Sequence, residues 1–381
     1  MIIKTEELPD NANNKKENQN LVLLISETKG NIKVYKSDNV DEIWEVVGSR
    51  EFEYPYTLEM LSLLKKANPL PQTYYYIEDV CEDKSSPSKV GDDANTSVLS
   101  GRIDSKVRFA FFVVYMNRMN LFTYGKAELF MDIQTIGYPC SLSCPGFVTN
   151  DLAFLLEFVK TIKGCKLVLN ADESIGVPWM AKGKTLPTCV LKLGGRFDTI
   201  DSYVKSLRGP YRRRLKLAAK RLPDIEIRTN PRDVDVHRLY LQTYEKSDYK
   251  LERLEREFFE RVDADKLVFY IKGIPVGFVL LHIHKERLDF MFCGMDYKQG
   301  VHIPDLYYYM LTQIVRYAIE HGCREIDFGQ TSEKTKLRFG AKLETKYFYA
   351  HHTNPFLNLF AILGKKLLEY SDEFPDFHVF K

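Results

Sequence analysis

The densest grouping of residues able to do chemistry lies late in the chain: Asp327-Phe328-Gly329-Gln330-Thr331-Ser332, then Lys334, Lys336, Arg338, Phe339 and Gly340. A predicted strand over Arg324–Phe328 puts this cluster just past a strand end, where α/β sheets hold their ligands. Gly329 and Gly340 allow close approach of the backbone. The competing reading is a turn followed by a solvated helix.

Two further groups concern anions. Arg208, Arg212, Arg213, Arg214, Lys216, Lys220 and Arg221 form a basic run, with Arg212, Lys216 and Lys220 stacked at i, i+4. Such a face is either simply solvated or an anion site for a phosphate-rich ligand such as a nucleotide carrier, coenzyme A or tRNA. A predicted strand ends at Gly294-Met295-Asp296, a loop runs through Tyr297–Ile303, and a helix begins at Pro304. Unpaired N–H groups at a helix start suit a pyrophosphate.

Other chemistries lack support. No GxGxxG, GxxxxGK[ST] or GxSxG pattern occurs. His282 and His284 alternate on one predicted strand and share a face, but no third metal ligand is placed by spacing. Cys140 and Cys144 are spaced CxxxC without a second Cys/His pair, so no metal is expected. Seven scattered cysteines argue against a disulfide framework and fit a reducing cytoplasm. Lys+Arg 54 against Asp+Glu 52 gives a net charge of +2, which excludes a surface dedicated to gripping nucleic acid all over. With 45% hydrophobic and 28% charged residues the chain is globular. No apolar run approaches the ~18 residues of a membrane-spanning helix, and the polar start is no signal peptide.

The elements that must position these residues read as mixed α and β. Residues 1–20 read as a loose tail and 82–106 as a mobile insertion. Strands are predicted over Asn31–Tyr35, Thr73–Glu78, Val107–Tyr115, one or two within Leu121–Ile136, Cys165–Asn170 and Thr188–Leu193. Helices are predicted over Val40–Val47, Thr57–Lys66 and Asp151–Lys163. The second half repeats this order. It has a strand at Asp224–Arg228, helices at Val234–Lys246 and Leu254–Val262, and a meander at Leu267–Lys272, Val276–His284 and Leu288–Cys293. Gly273 and Lys285–Arg287 are assigned to its turns. A buried helix over Pro304–His321, with Asp305 in its first turn, then leads to strands at Arg324–Phe328 and Lys346–His351. Apolar residues step by three or four through Phe197–Leu222, and Gly209-Pro210 splits that segment into two helices or one kinked one. We read two copies of one α+β unit: a domain over 21–196 and a second, catalytic one over 197–381 that includes the basic segment 197–222.

The tract from Phe197 to about Tyr349 resembles the GNAT-fold acyltransferases of the FemAB/BioF2-like branch. The resemblance rests on SLRGPYRRRLKLAAKR, on the meander KLVFYIKGIPVGFVLLHIHKERLDFMFCGMD, on PDLYYYMLTQIVRYAIEHG, and above all on CREIDFGQTSEKTKLRFGAKL. It implies tandem GNAT-like (acyl-CoA N-acyltransferase) units with mixed, mostly antiparallel sheets flanked by helices. It also implies transfer of an acyl group from acyl-CoA, or of an aminoacyl group from tRNA, onto an amine. Lys336 holds the position of the family's lysine in K-x-x-FG. The segment Tyr297-Lys298-Gln299-Gly300-Val301-His302-Ile303 takes the place of the pyrophosphate loop and keeps one of its glycines. No heptad run forms the coiled-coil arm common in Fem ligases.

An amine with a free pKa of ~10.4 is protonated at neutral pH, so the site needs a base. Asp289 and Asp327 are the candidate bases, and Tyr249, Tyr307 or Tyr308 the candidate acids. Lys336 or Arg338 balances negative charge. Arg212, Arg213, Lys216, Gln330 and Thr331 are the expected substrate or phosphate contacts. The expected function is acyl transfer from acyl-CoA to a small or carrier-bound amine in the cytoplasm, without a metal. The alternatives are a tRNA-dependent ligase of cell-wall precursor type and a non-catalytic binding protein on the same fold.

Overall fold

The computed structural model describes residues 22–25, 31–48, 50–80, 107–120, 130–247, 252–297, 303 and 305–381. The predicted tail 1–20, the insertion 82–106, Tyr249, loop residues 298–302 and Pro304 lie outside the described residues.

The first half contributes β1 (Val22–Ile25), β2 (Asn31–Ser37), α1 (Val40–Val47), α2 (Leu58–Ala67), β3 (Gln72–Val80), β4 (Val107–Asn120), β5 (Phe130–Ile136), β6 (Phe147–Thr149), α3 (Leu152–Thr161), β7 (Cys165–Ala171) and β8 (Ala181–Lys192). The second contributes α4 (Ile200–Ser206), α5 (Gly209–Arg221), β9 (Ile225–Thr229), α6 (Val236–Lys246), α7 (Arg256–Arg261), β10 (Asp265–Ile271), β11 (Ile274–His284), β12 (Arg287–Met295), α8 (Leu306–Glu320), β13 (Glu325–Asp327), α9 (Glu333–Leu337), β14 (Lys342–His352), α10 (Pro355–Leu363) and α11 (Lys365–Leu368).

Local chemistry sets the helix ends. Asn39, Thr57 and Asp151 each accept a backbone N–H at a helix start. Pro210 lies in the first turn of α5, so the kinked segment resolves as two helices broken at Leu207–Arg208. Asp305 is not a first-turn residue. It is the N-cap of α8, left-handed at φ 72°, and makes no capping bond. Its carboxylate instead pairs with Arg214 and Arg221 of α5.

A single 14-stranded sheet runs β1-β2-β3-β4-β5-β7-β14-β8-β13-β12-β11-β10-β9, with β6 paired to β4. Among the described residues only β5–β7 and β12–β13 are parallel. The order is a palindrome: an antiparallel meander, one parallel pair, two middle strands, one parallel pair, one antiparallel meander. The middle strands are exchanged. β8 follows β7 along the chain but pairs with β13, and β14 follows β13 but pairs with β7. Each half is therefore completed by the other's last strand.

Helices cover both faces. One apolar cluster joins α1 and α2 to α6 and α7 across the halves, through Ile43, Leu61 and Phe111 on one side and Leu239, Phe258 and Phe278 on the other. The opposite face holds α3 over the first half and α4, α5 and α8 over the second. The fold is thus the expected mixed, mostly antiparallel sheet flanked by helices, in a doubled order.

Candidate active site

The parallel pair β12–β13 is three residues long, with Arg287 opposite Glu325, Leu288 opposite Ile326, and Asp289 opposite Asp327. There it stops. β12 continues to Met295 on its β11 side, while the chain beyond Asp327 turns away into α9. The splay opens into a cavity of about 2190 Å³. Phe290–Cys293 line one wall, Phe328–Ser332 and Lys336 another, and residues of the first half the rest.

At the apex sits Arg287, which the sequence places in a turn and the structure places at the start of β12. Its Nε donates to Asp289 (2.8 Å), its Nη1 to Glu325 (2.8 Å) and its Nη2 to Asp327. One guanidinium thus ties together the carboxylates at the ends of two strands, a task its rigid fork suits.

The two predicted bases are not equivalent. Asp327 is buried and fully engaged: Oδ1 accepts from the Thr188 hydroxyl and from Gly329 N (2.8 Å), and Oδ2 accepts from Ser143 (2.8 Å) and Arg287. A carboxylate so saturated has little acceptor capacity left for a substrate. Asp289 lies on the cavity wall, its one hydrogen-bonded oxygen held by Arg287. Burial raises its pKa, Arg287 opposes that, and neighbouring Asp327 adds to it.

Lys336 is buried at the base of the loop and donates to Gly329 O (3.1 Å) and Gln330 O (2.6 Å). Gly329, Thr331 and Ser332 are all left-handed (φ 72°, 63° and 53°), so the ammonium clamps a tightly wound turn. Burial lowers its pKa against the opposing pull of Cys189, Cys293, Asp327 and Glu333. Gln330 donates to Asn170 (2.9 Å) and Leu186 O (2.6 Å), both in the first half. Thr331 and Tyr307 line the cavity, and burial raises the Tyr307 hydroxyl well above its usual pKa.

Tyr297 also lines it, with Lys246 Nζ 3.8 Å from its ring centre, whereas Ile303 packs into the core beneath α8. Other predicted residues are not brought there. Arg338 lies against Phe377, and Tyr308 is buried beneath Arg214. Arg212, Arg213 and Lys216 lie on α5, outside the lining. His282 stacks on Tyr54 with ring centres 3.6 Å apart. Among the described residues no group of three or more His, Cys, Asp or Glu is placed to hold a metal.

The first half supplies residues the sequence did not point to. After Ile136 the strand breaks, and residues 137–146 leave the sheet before β6 resumes on β4. Gly137 and Gly146 close the neck of this excursion; a Cβ on Gly146 would lie 2.1 Å from the Gly137 backbone. The loop reaches across the cavity. Ser143 donates to Asp327, and Ser141 donates from N (2.6 Å) and Oγ (2.8 Å) to Glu252 Oε1. Asn170 fastens it by donating to the carbonyls of Leu142 and Cys144. Glu252 is buried on the cavity wall, and its Oε2 has no hydrogen-bond partner among the described residues. Burial pushes its pKa up to about 7, with the two Ser141 bonds opposing. The sequence signal for this loop, GYPCSLSCPG, marks a turn but not where the turn reaches.

Residues 205–337 match the family model described as an acetyltransferase (GNAT) domain. Among solved structures, the chain is similar to FemX, at 14% identity and TM-score 0.42 over 84% of this chain and 98% of that one. It is also similar to L-PGS from Bacillus licheniformis, at 11% and 0.43 over 68% and 87%. A third is a conserved protein from Enterococcus faecalis described as a probable N-acyltransferase, at 10% and 0.39 over 87% and 75%. No curated protein sequence matches the chain.

Proposed function

We propose that the chain, whose residues 205–337 match an acetyltransferase (GNAT) domain, is an N-acyltransferase that moves an acyl group from acyl-CoA to an amine. The observation that carries this reading lies within the matched span: β12 and β13 part immediately after Asp289 and Asp327, into a cavity large enough for two substrates. The reading takes 21–196 and 197–381 as two units, the second bearing the chemistry. It includes a cytoplasmic location, on cysteine usage.

In this mechanism Asp289 takes the proton that the acceptor ammonium must lose, its basicity raised by burial. Asp327 is a positioning residue that fixes Arg287, and through it Asp289. The freed amine nitrogen attacks the thioester carbon. The C–N bond forms and the C–S bond breaks; the departing sulfur takes a proton from Tyr307, the second proton that the nitrogen sheds as the amide forms restores that hydroxyl, which burial keeps protonated, and Asp289 releases its proton to solvent. Lys336, besides clamping its loop, offers positive charge to phosphate or to the developing oxyanion. Lys246 beside Tyr297 offers a second cation on the lining.

Titrating acetyl-CoA into the purified chain by calorimetry tests the donor, and mass spectrometry of an amine panel tests the transfer. Saturable, salt-sensitive binding with a +42 Da product is expected, the increment being that of any acetylation. No binding at millimolar acetyl-CoA, or full activity in both Lys336→Ala and Asp327→Ala, overturns the assignment. A second reading, an aminoacyl-tRNA-dependent ligase, is favoured by the exposed cations Arg213, Lys216 and Lys220 along α5. Co-purifying RNA that RNase removes, without acetyl-CoA binding, would select it.

A further inference from the structure

A surface helix ordinarily buries its apolar stripe and exposes its polar one. α10 does the reverse. Its polar residue Asn358 is 2% exposed, donating to Trp179 O (2.7 Å) and accepting from His352 N (3.0 Å). Phe356, Phe360 and Leu363 are 78%, 73% and 71% exposed, with Leu357 and Leu359 also exposed. Trp179, held by that hydrogen bond, is 66% exposed beside them. From Thr353 to Gly364 there is no charged residue.

The rim is basic. Lys365 and Lys366 are exposed directly after the helix. Lys163 is exposed next to Gly164, which exchanges hydrogen bonds with Thr353. Lys160 donates to Pro178 O, adjacent to Trp179. Of the nearby acids, Glu157 pairs with Lys160, Asp172 with Lys346 and Glu369 with the Lys184 backbone, while Glu173 is exposed.

We propose that α10 and Trp179 form a docking surface for an anionic lipid bilayer, on which the chain lies peripherally. Exposed Phe, Leu and Trp on an uncharged segment, rimmed by lysines, match the interface between acyl chains and acidic headgroups. A second copy of the chain fits less well. Nine helical residues make a strip about 13 Å long and about 10 Å wide, far short of the ~800 Å² per partner of a stable interface. No helix among the described residues is long and apolar enough to cross a membrane. Leu357, Phe360, Ala361 and Leu363 also line the mouth of the cavity that contains Asp289, so docking would turn that mouth toward the headgroups.

The test is flotation of the full chain with vesicles of phosphatidylglycerol and phosphatidylcholine, against pure phosphatidylcholine. Binding to the anionic vesicles is expected. Phe356→Ser with Phe360→Ser should weaken it about tenfold or more per residue. Lys365→Glu with Lys366→Glu should weaken it by roughly fivefold per lysine. Because these side chains are exposed, the thermal midpoints should not move. The proposal is overturned by no flotation at millimolar lipid, by flotation unchanged in both double variants, or by a dimer in ultracentrifugation that the Phe356→Ser/Phe360→Ser variant abolishes while vesicles bind neither form. Flotation is read without a transfer assay, so its failure and that of the acyltransferase reading are separate results.

Discussion

The two parallel strand pairs invite comparison because each is three residues long and each then splays. In the second half the last pair before the splay is Asp289 opposite Asp327. In the first half the same register holds Ile136 opposite Val168, both fully buried. Arg287, opposite Glu325, has as its counterpart Gln134 opposite Lys166. The first splay has no carboxylate at its apex, only the buried Lys166, and its emerging strand diverts into the loop 137–146 that Asn170 ties down. The second stays open. The two halves thus differ: the first ends its parallel pair on Ile136 and Val168 and sends its loop across, and the second ends on two carboxylates and receives Ser141 and Ser143 into its cavity.

Neutralising the open apex separates the two splays most strongly. Asp289→Asn should lower turnover by about 10²–10⁴-fold, the usual worth of a general base. The thermal midpoint should barely change, because Asp289 reaches the cavity wall. Activity that survives intact, measured on an amine that the panel shows to be acetylated, would move the base elsewhere. The matching change in the closed apex should behave oppositely. Ile136→Ala should cost about 2–5 kcal/mol of stability by opening a core cavity, with turnover per folded molecule unchanged. A loss of turnover in folded Ile136→Ala would mean that the first splay takes part in chemistry.

Much of the frame was legible in the sequence. The helix Val40–Val47 is legible to the residue, because Val40, Ile43 and Val47 recur on one face and Asn39 caps it. The doubled order of elements was legible because it is a sequence of local signals. The exchange of β8 and β14 was not, since it rests on pairings between residues more than a hundred positions apart that no local pattern encodes. The candidate site was half legible. Asp289, Asp327 and Lys336 stood out as charges in strand or turn contexts, but saturation of Asp327 depends on Ser143 and Thr188 from the other half. Arg287 was hidden by its neighbours: Lys285-Glu286-Arg287 reads as a polar turn, and only the pairing of β12 with β13 converts its last residue into a hub. Glu252 sits in a charged stretch, LERLERE, where one buried carboxylate looks like its exposed neighbours.

Glu252 adds a pH dependence at the point where the loop of the first half meets the second. Its folded pKa of about 7 lies above the ordinary Glu value. Between that ordinary value and about 7 the folded chain holds a proton that the unfolded chain has released, so stability falls as pH rises through this window and levels off above it. Glu252→Gln should flatten that slope and gain on the order of 2 kcal/mol at pH 8 relative to wild type, while changing little at pH 4. Denaturant midpoints at the two pH values check this. A slope unchanged in the variant would mean that the unpartnered oxygen is hydrated or paired in solution.

The smallest expected effect tests the division of work itself. Ser143→Ala removes the bond from the loop to Asp327 but leaves Asp327 three donors, so the cost should be about 1–2 kcal/mol in stability. Thr188→Val removes another donor from the same carboxylate, from β8. If Asp327 is the point where the crossing loop and the exchanged strand are both read out, the two changes must interact. The double variant should lose more than the sum of the singles, by about 0.5 kcal/mol or more, because the carboxylate is then left with only Arg287 and Gly329 N to hold it. Additivity within a few tenths of a kcal/mol would mean that Ser143 and Thr188 report on separate environments. In that case the loop of the first half would merely border the open site.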